Sequence, residues 1–182
     1  MDALLHAPEV VEPAPETFAV ELTTSQGPLV ADVVRAWAPR GADRFHHLVC
    51  IGFYDGCRFF RVVPGFVAQV GLHPDPAVSK VWRKKTFRDD PVVQSNQEGT
   101  VCFATSGRDA RTTQFFVNLR NNARLDAMGF AAFGRLRDLE PARRLHDGYG
   151  ESVQQGRLAR EGEAYLASEF PNLDVIHSAR VL

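Results

Sequence analysis

The chain lacks most of the features by which a sequence declares its function at once. No apolar run approaches the roughly 18 residues of a membrane-spanning helix, so no integral membrane association is expected. The three cysteines, Cys50, Cys57 and Cys102, form no C-x-x-C pair; a disulfide framework has nothing to build on, and reduced thiols suit a cytoplasmic protein. Neither sign of charge dominates: 21 Lys and Arg against 22 Asp and Glu leave a net charge of -1, whereas a general nucleic-acid binder would be more basic. There is no H-E-x-x-H, no cysteine-histidine metal spacing and no G-x-x-x-x-G-K phosphate loop, and the adjacent His46 and His47 would point in different directions on a helix. No metal and no cofactor are therefore expected. Internal repeats and low-complexity blocks are missing too.

What is present reads as one globular domain. A length of 182 residues with 45% hydrophobic side chains is enough to bury a core without dividing it. The first 15 residues, with Pro8, Pro13 and Pro15 among acidic residues, lack a basic-then-apolar leader pattern and are expected to form a flexible arm ahead of a domain over 16–182. The expected location is the cytoplasm, with export after removal of a leader as the alternative.

Period-two alternation of Phe18, Val20 and Leu22, and again of Leu29, Ala31 and Val33 beyond Ser25-Gln26-Gly27-Pro28, predicts a β-hairpin. Phe45, Leu48 and Val49 at helical spacing, ending before Gly52, predict a short helix. Leu72 to Gly99 reads as a long irregular segment holding Trp82, the cluster Arg83-Lys84-Lys85 and the pair Asp89-Asp90, the latter expected as a turn before Pro91. Thr100–Ala104, Gln114–Asn118 and Phe130–Leu136 have strand composition. A helix is expected over Pro141–His146 and an amphipathic one over Gln155–Glu169, with alternation from Asp174 to Val181 as a closing strand. Many short strands with few helices make a mainly-β sandwich or barrel.

The stretch Phe59 to Gly71 stands out, because two short apolar strands flank Pro64-Gly65 and carry a single charge, Arg61, and a single amide, Gln69. A guanidinium placed there must reach solvent or an acceptor, since burying it unpaired is costly. Strand parity puts Arg61 and Gln69 on one face but not Phe66, so the Pro64-Gly65 turn or a bulge has to re-aim the face.

R-x-x-P-G-F-x-x-Q from Arg61 to Gln69, following Phe53-Tyr54-Asp55-Gly56, resembles the signature of cyclophilins, a family of peptidyl-prolyl cis-trans isomerases. Thr113-Gln114-Phe115-Phe116-Val117-Asn118 and the earlier Phe103-Ala104 resemble the second signature, and Leu125-Asp126 with Phe133-Gly134 fits more loosely. The resemblance implies a closed eight-stranded antiparallel β-barrel capped by helices, to which the helical segment around Arg157 to Phe170 would be an addition. It implies isomerisation of X-Pro bonds in flexible or unfolded chains, assisting protein folding, by a monomer that binds proline-containing peptides. Arg61 and Gln69 would be the catalytic pair. Phe66, Val67, Phe116, Leu125 and Phe130 would line the proline slot, and the backbone at Ala104 and Thr105 would hold the peptide. A catalytically weak peptide-binding or scaffolding module on the same fold is the alternative. The departures are Arg124, where many cyclophilins carry tryptophan, which counts against tight cyclosporin binding; Val67 in place of methionine; and Phe130 near the usual histidine.

Overall fold

The computed structural model describes residues 2–8 and 11–182. Its strands are β1 Thr17–Thr24, β2 Gly27–Val34, β3 Arg61–Val63, β4 Val67–Val70, β5 Thr100–Phe103, β6 Phe115–Asn118, β7 Ala132–Leu136 and β8 Ile176–Val181. The helices are α1 Asp2–Leu5, α2 Pro39–Cys50, α3 Pro76–Trp82, α4 Glu140–Arg143, α5 Gln155–Glu161 and α6 Glu163–Glu169. All eight strands join one antiparallel sheet in the order β3-β4-β6-β5-β7-β2-β1-β8, curled around the core.

The expected closed barrel is met only in part. No ladder links the end strands β3 and β8; the residues just before them meet instead, through an Arg58–Val175 bridge in which the Phe59 N–H donates to the Asp174 carbonyl at 2.9 Å and the Ile176 N–H to that of Cys57 at 2.9 Å.

The predicted hairpin is β1-β2, with Val20, Leu22, Leu29, Ala31 and Val33 turned inward. Inside the curl, Phe45 of α2 meets Phe115 at 5.3 Å and Phe133 at 4.9 Å between ring centres, and Tyr54 meets Phe115 at 5.1 Å. The Tyr54 hydroxyl, wholly buried, donates to the Thr113 carbonyl at 3.0 Å, so the F-Y-D-G turn props up the start of the second signature. Asp90 proves to be more than a turn residue. Its carboxylate accepts the backbone N–H groups of Arg40 and Gly41 at 3.1 and 2.8 Å, capping α2 where Ala38 offers no side-chain acceptor.

Three expectations need correction. The segment Leu72–Gly99 is not wholly irregular, because it contains α3, started by the Asp75 carboxylate accepting from the Ala77 N–H at 2.7 Å with Pro76 in the first turn. Part of the segment expected to be a flexible arm is docked: Trp82 donates its indole N–H to the Leu4 carbonyl at 2.8 Å, and the Ala14 N–H donates to Asp43. The single helix expected over 155–169 is two, broken at Gly162 with φ of 64°. There the chain touches the loop before α3, with the Glu163 N–H donating to the Pro74 carbonyl at 3.0 Å.

A side chain at Gly162 would put its Cβ 2.1 Å from the Pro74 oxygen, in a backbone conformation that disfavours L residues as well. Gly162→Ala is therefore expected to cost about 2 kcal/mol, lowering the melting temperature by about 4 to 8 °C. Thermal unfolding followed by circular dichroism checks this; an unchanged midpoint means the close approach carries no stability.

Candidate active site

One row of side chains crosses five strands on the outer face of the sheet. Arg61 of β3 lies opposite Gln69 of β4, Gln69 opposite Phe116 of β6, Phe116 opposite Cys102 of β5, and Cys102 opposite Ala132 of β7. The pleat sends their neighbours Ala68, Val117, Val101 and Phe133 into the core. The row thus grades from a cation, through an amide, to an apolar floor.

Val67, Cys102, Phe116, Leu125 and Ala132 form a buried cluster separate from the main core, with Phe66, Ala104 and Phe130 packed against it. It is the floor of a recess of about 550 Å³ bordered by Arg61, Gln69, Phe66, Val67, Ala104, Thr105, Phe116, Leu125 and Phe130. All nine residues singled out from the sequence therefore meet at one opening. Phe66 escapes its parity conflict by sitting in the turn rather than on a strand: its N–H donates to the Val63 carbonyl at 3.0 Å, and Gly65 takes φ of 65°.

Arg61 is held rather than free. Its Nη1 donates to Gln69 Oε1 at 3.1 Å, and Gln69 Nε2 passes the orientation on by donating to Gln114 Oε1 at 2.9 Å. The Arg61 Nε donates to Glu151 Oε1 at 2.7 Å, and the guanidinium lies 5.6 Å from the centre of the Phe66 ring. With 26% of its side chain exposed, Arg61 borders the recess without being sealed from solvent.

The arrangement matches known proteins. Residues 19–143 match the family model described as cyclophilin type peptidyl-prolyl cis-trans isomerase/CLD. The chain belongs to the cyclophilin family. It is 34% identical over 140 residues to the peptidyl-prolyl cis-trans isomerase A of Dickeya dadantii, covering 74% of each chain. It is 31% identical over 128 residues to the mouse peptidyl-prolyl cis-trans isomerase-like 3, covering 66% of this chain and 76% of that one. Its fold is similar to a Cryptosporidium parvum cyclophilin type peptidyl-prolyl cis-trans isomerase, with a TM-score of 0.68 at 18% identity, covering 91% of this chain and 98% of the other. A structure of that protein in the presence of the dipeptide Ala-Pro superposes with a TM-score of 0.65 at 18% identity, over 90% of this chain and 98% of that one.

Of the departures expected from the sequence, Val67 and Phe130 line the recess, and Arg124 reaches its edge through Phe66. Arg124 lays its guanidinium 4.9 Å from the centre of the Phe66 ring, on which Arg61 also rests, so the ring carries two cations. Phe130 fills its wall with an edge-on contact to Phe116 at 5.6 Å. Burial pushes the Cys57 and Cys102 thiols well up, which leaves neither as a thiolate near neutral pH.

The sequence reading missed the polar groups beneath the slot. Asn96, fully buried, donates from Nδ2 to the Phe130 carbonyl at 2.8 Å and to Asp126 Oδ1 at 2.7 Å, and its Oδ1 accepts from Asn118 Nδ2 at 3.1 Å. Asn122 donates to Asn118 Oδ1 at 2.8 Å and to the Phe66 carbonyl at 3.0 Å. One chain of amides thereby pins the backbones of Phe66 and Phe130 and, through Asp126, that of its neighbour Leu125. Asn96 and Asn122 fall outside both signatures and look like ordinary loop residues. The nearest sequence signal was the placement of Asn118 at the end of the second signature.

Burial acts to raise the Asp126 pKa, but hydrogen bonds from the Ser95 hydroxyl, the Asn96 side chain and the Asn96 N–H outweigh it and hold the carboxyl below its ordinary value. The contact stabilises the fold fully above the unfolded value of about 3.9 and is lost as pH falls through the lowered one. A carboxyl-carbon NMR titration should show a midpoint below the ordinary value, with Asn96 amide exchange accelerating in the same range. A midpoint at or above it removes Asp126 as the clamp.

Proposed function

We propose that this cyclophilin turns X-Pro peptide bonds in extended or unfolded polypeptide by aiming Arg61 at the amide nitrogen while that bond is twisted. Rotation meets a barrier of about 18 to 20 kcal/mol because the nitrogen shares its lone pair with the carbonyl. A planar amide nitrogen is a poor hydrogen-bond acceptor; turned out of plane it regains the lone pair and accepts. A donor fixed at that spot binds the transition state in preference to either planar isomer, which is the condition for catalysis. No bond to the protein forms and no proton is exchanged.

The observation that carries this reading is the cation at the rim of an apolar slot, Arg61 beside Phe66, Phe116, Leu125 and Phe130. Burying about three methylenes of a proline ring yields roughly 2.4 kcal/mol, which suits weak, permissive binding. A charge-assisted hydrogen bond contributes about 1.5 to 3 kcal/mol, or roughly ten- to a hundredfold in rate. The rest of the acceleration comes from holding the chain on both sides of the proline, for which the 104–106 edge lies beside the slot, and from water excluded by the apolar floor. Binding of Ala-Pro-like segments accords with the dipeptide present with the Cryptosporidium relative. On the same reading the Arg58–Val175 bridge is the seam of a barrel, which keeps the strand carrying Arg61 from being a free edge. The enzyme acts as a monomer in the cytoplasm, where its three unpaired thiols stay reduced. With Arg124 lying over Phe66, cyclosporin binds weakly.

Arg61→Ala should lower kcat/KM on an Ala-Pro peptide by roughly ten- to a hundredfold, measured by NMR exchange, with peptide affinity changed far less. Arg61→Lys should recover little, since an ammonium lacks the planar fork. Equal rates in wild type and Arg61→Ala would remove Arg61 from the mechanism. Peptide held in the groove without turnover in the intact chain would make the protein a binding module.

A further inference from the structure

Between α4 and β8 the chain carries a polar loop and a pair of short helices, α5 and α6, with no part in the sheet. They pack through a cluster of their own, in which Val153, Leu158, Tyr165, Leu166, Phe170 and Leu173 surround Phe60. Phe60 is the residue before Arg61. From this platform comes Glu151, whose Oε1 accepts from the Arg61 Nε at 2.7 Å and lies 2.5 Å from Nη2.

We propose that Glu151 is a positioning residue for the isomerisation, setting the orientation in which Arg61 meets the prolyl bond. The inference rests on the reading of Arg61 as the catalytic donor. A guanidinium has five N–H donors in one plane. Glu151 takes the Nε hydrogen and its carboxylate pairs with the charge at Nη2, while Gln69 takes one hydrogen on Nη1. N–H groups remain on both terminal nitrogens, so the two partners together leave a fork for the substrate. Arg61 borders the recess and Glu151 does not, which places the carboxylate behind the donor and out of the peptide's path.

Glu151 is itself held from both sides. The Ser152 N–H donates to the Tyr149 carbonyl at 2.9 Å and the Gln154 N–H to the Tyr165 hydroxyl at 3.2 Å, while Tyr149 packs edge-on against Phe170 at 5.1 Å and Val153 is buried. The Glu151 side chain is nevertheless 64% exposed, so removing it opens no cavity in the fold. An arginine side chain with many rotamers reaches the transition state faster when its geometry is set before substrate arrives. The C-terminal helical segment thereby acquires a purpose, delivering that carboxylate to the edge of the sheet beside β3.

The test is a kinetic series on an Ala-Pro peptide with wild type, Glu151→Ala, Glu151→Gln and Glu151→Ala combined with Arg61→Ala. Glu151→Ala should lose roughly three- to fivefold in kcat with KM and melting temperature little changed. Glu151→Gln, which keeps an accepting oxygen, should recover part of the loss. In the Arg61→Ala background the Glu151→Ala change should have no further effect, which a merely structural role would not produce. An unchanged or increased kcat in Glu151→Ala, or the same loss in both backgrounds, overturns the proposal. If the intact chain shows no turnover that depends on Arg61, the catalytic reading has failed by itself. The positioning claim is then judged on the free protein: the Arg61 Nε–H resonance should shift and exchange faster in Glu151→Ala, and an unmoved resonance rejects it.

Discussion

Successive side chains on a strand face opposite ways, and in β4, β5 and β6 both faces are buried. That alternation is the constraint on which the site depends. Ala68, Val70, Val101, Phe103, Phe115 and Val117 fill the inside of the curl, while Val67, Cys102 and Phe116 are covered outside by turns and by Leu125. A slip of one residue in β6 would drive Phe116 into the core and leave Phe115 in the groove. The packing of the interior and the shape of the groove are therefore set by the same register.

The walls of the slot pose a different physical problem, because Phe66 lies in a turn, Phe130 just follows one and Leu125 ends a short 3-10 helix, Ala123–Leu125, none of them with a ladder to place it. Their backbones are placed instead by buried amides and a carboxylate, Asn96, Asn118, Asn122 and Asp126, each with hydrogen-bond partners inside the fold. Left unpaired, such groups would cost more than their contacts return, so the network holds all of them together. Gly71 contributes through close approach: a Cβ there would fall 2.5 Å from the Thr113 oxygen, so the end of β4 can pass directly beside the start of the second signature.

Around this frame the additional chain behaves as support. Arg44, nearly buried, donates to the Lys85 and Thr112 carbonyls and lies over Trp82 and Phe87, tying α2 to the loop behind the groove. On the other side, the cluster around Phe60 braces β3. The face that carries the recess is thus clamped at both ends by aromatic packing.

Hairpin, central helix, signature strands and the chemical character of the site were legible in the sequence because each follows from local period, a turn residue or a short motif. The start of α3 is also written there, in Asp75-Pro76, but its seven residues carry no long apolar stripe to mark a helix. Other features were not local. The split at Gly162 depends on the Pro74 carbonyl, and β8 shifts register opposite Thr23 and Thr24, bringing Ile176 and Ala179 both inward against the simple alternation. The amides under the slot join residues as much as 56 apart, and Glu151 reaches Arg61 across 90 positions. By itself the sequence determined which segments extend, where they turn and what kind of site they carry. Only the tertiary structure decided how the guanidinium is held and what fixes the slot, because those contacts arise when distant segments are brought together and leave no period along the chain.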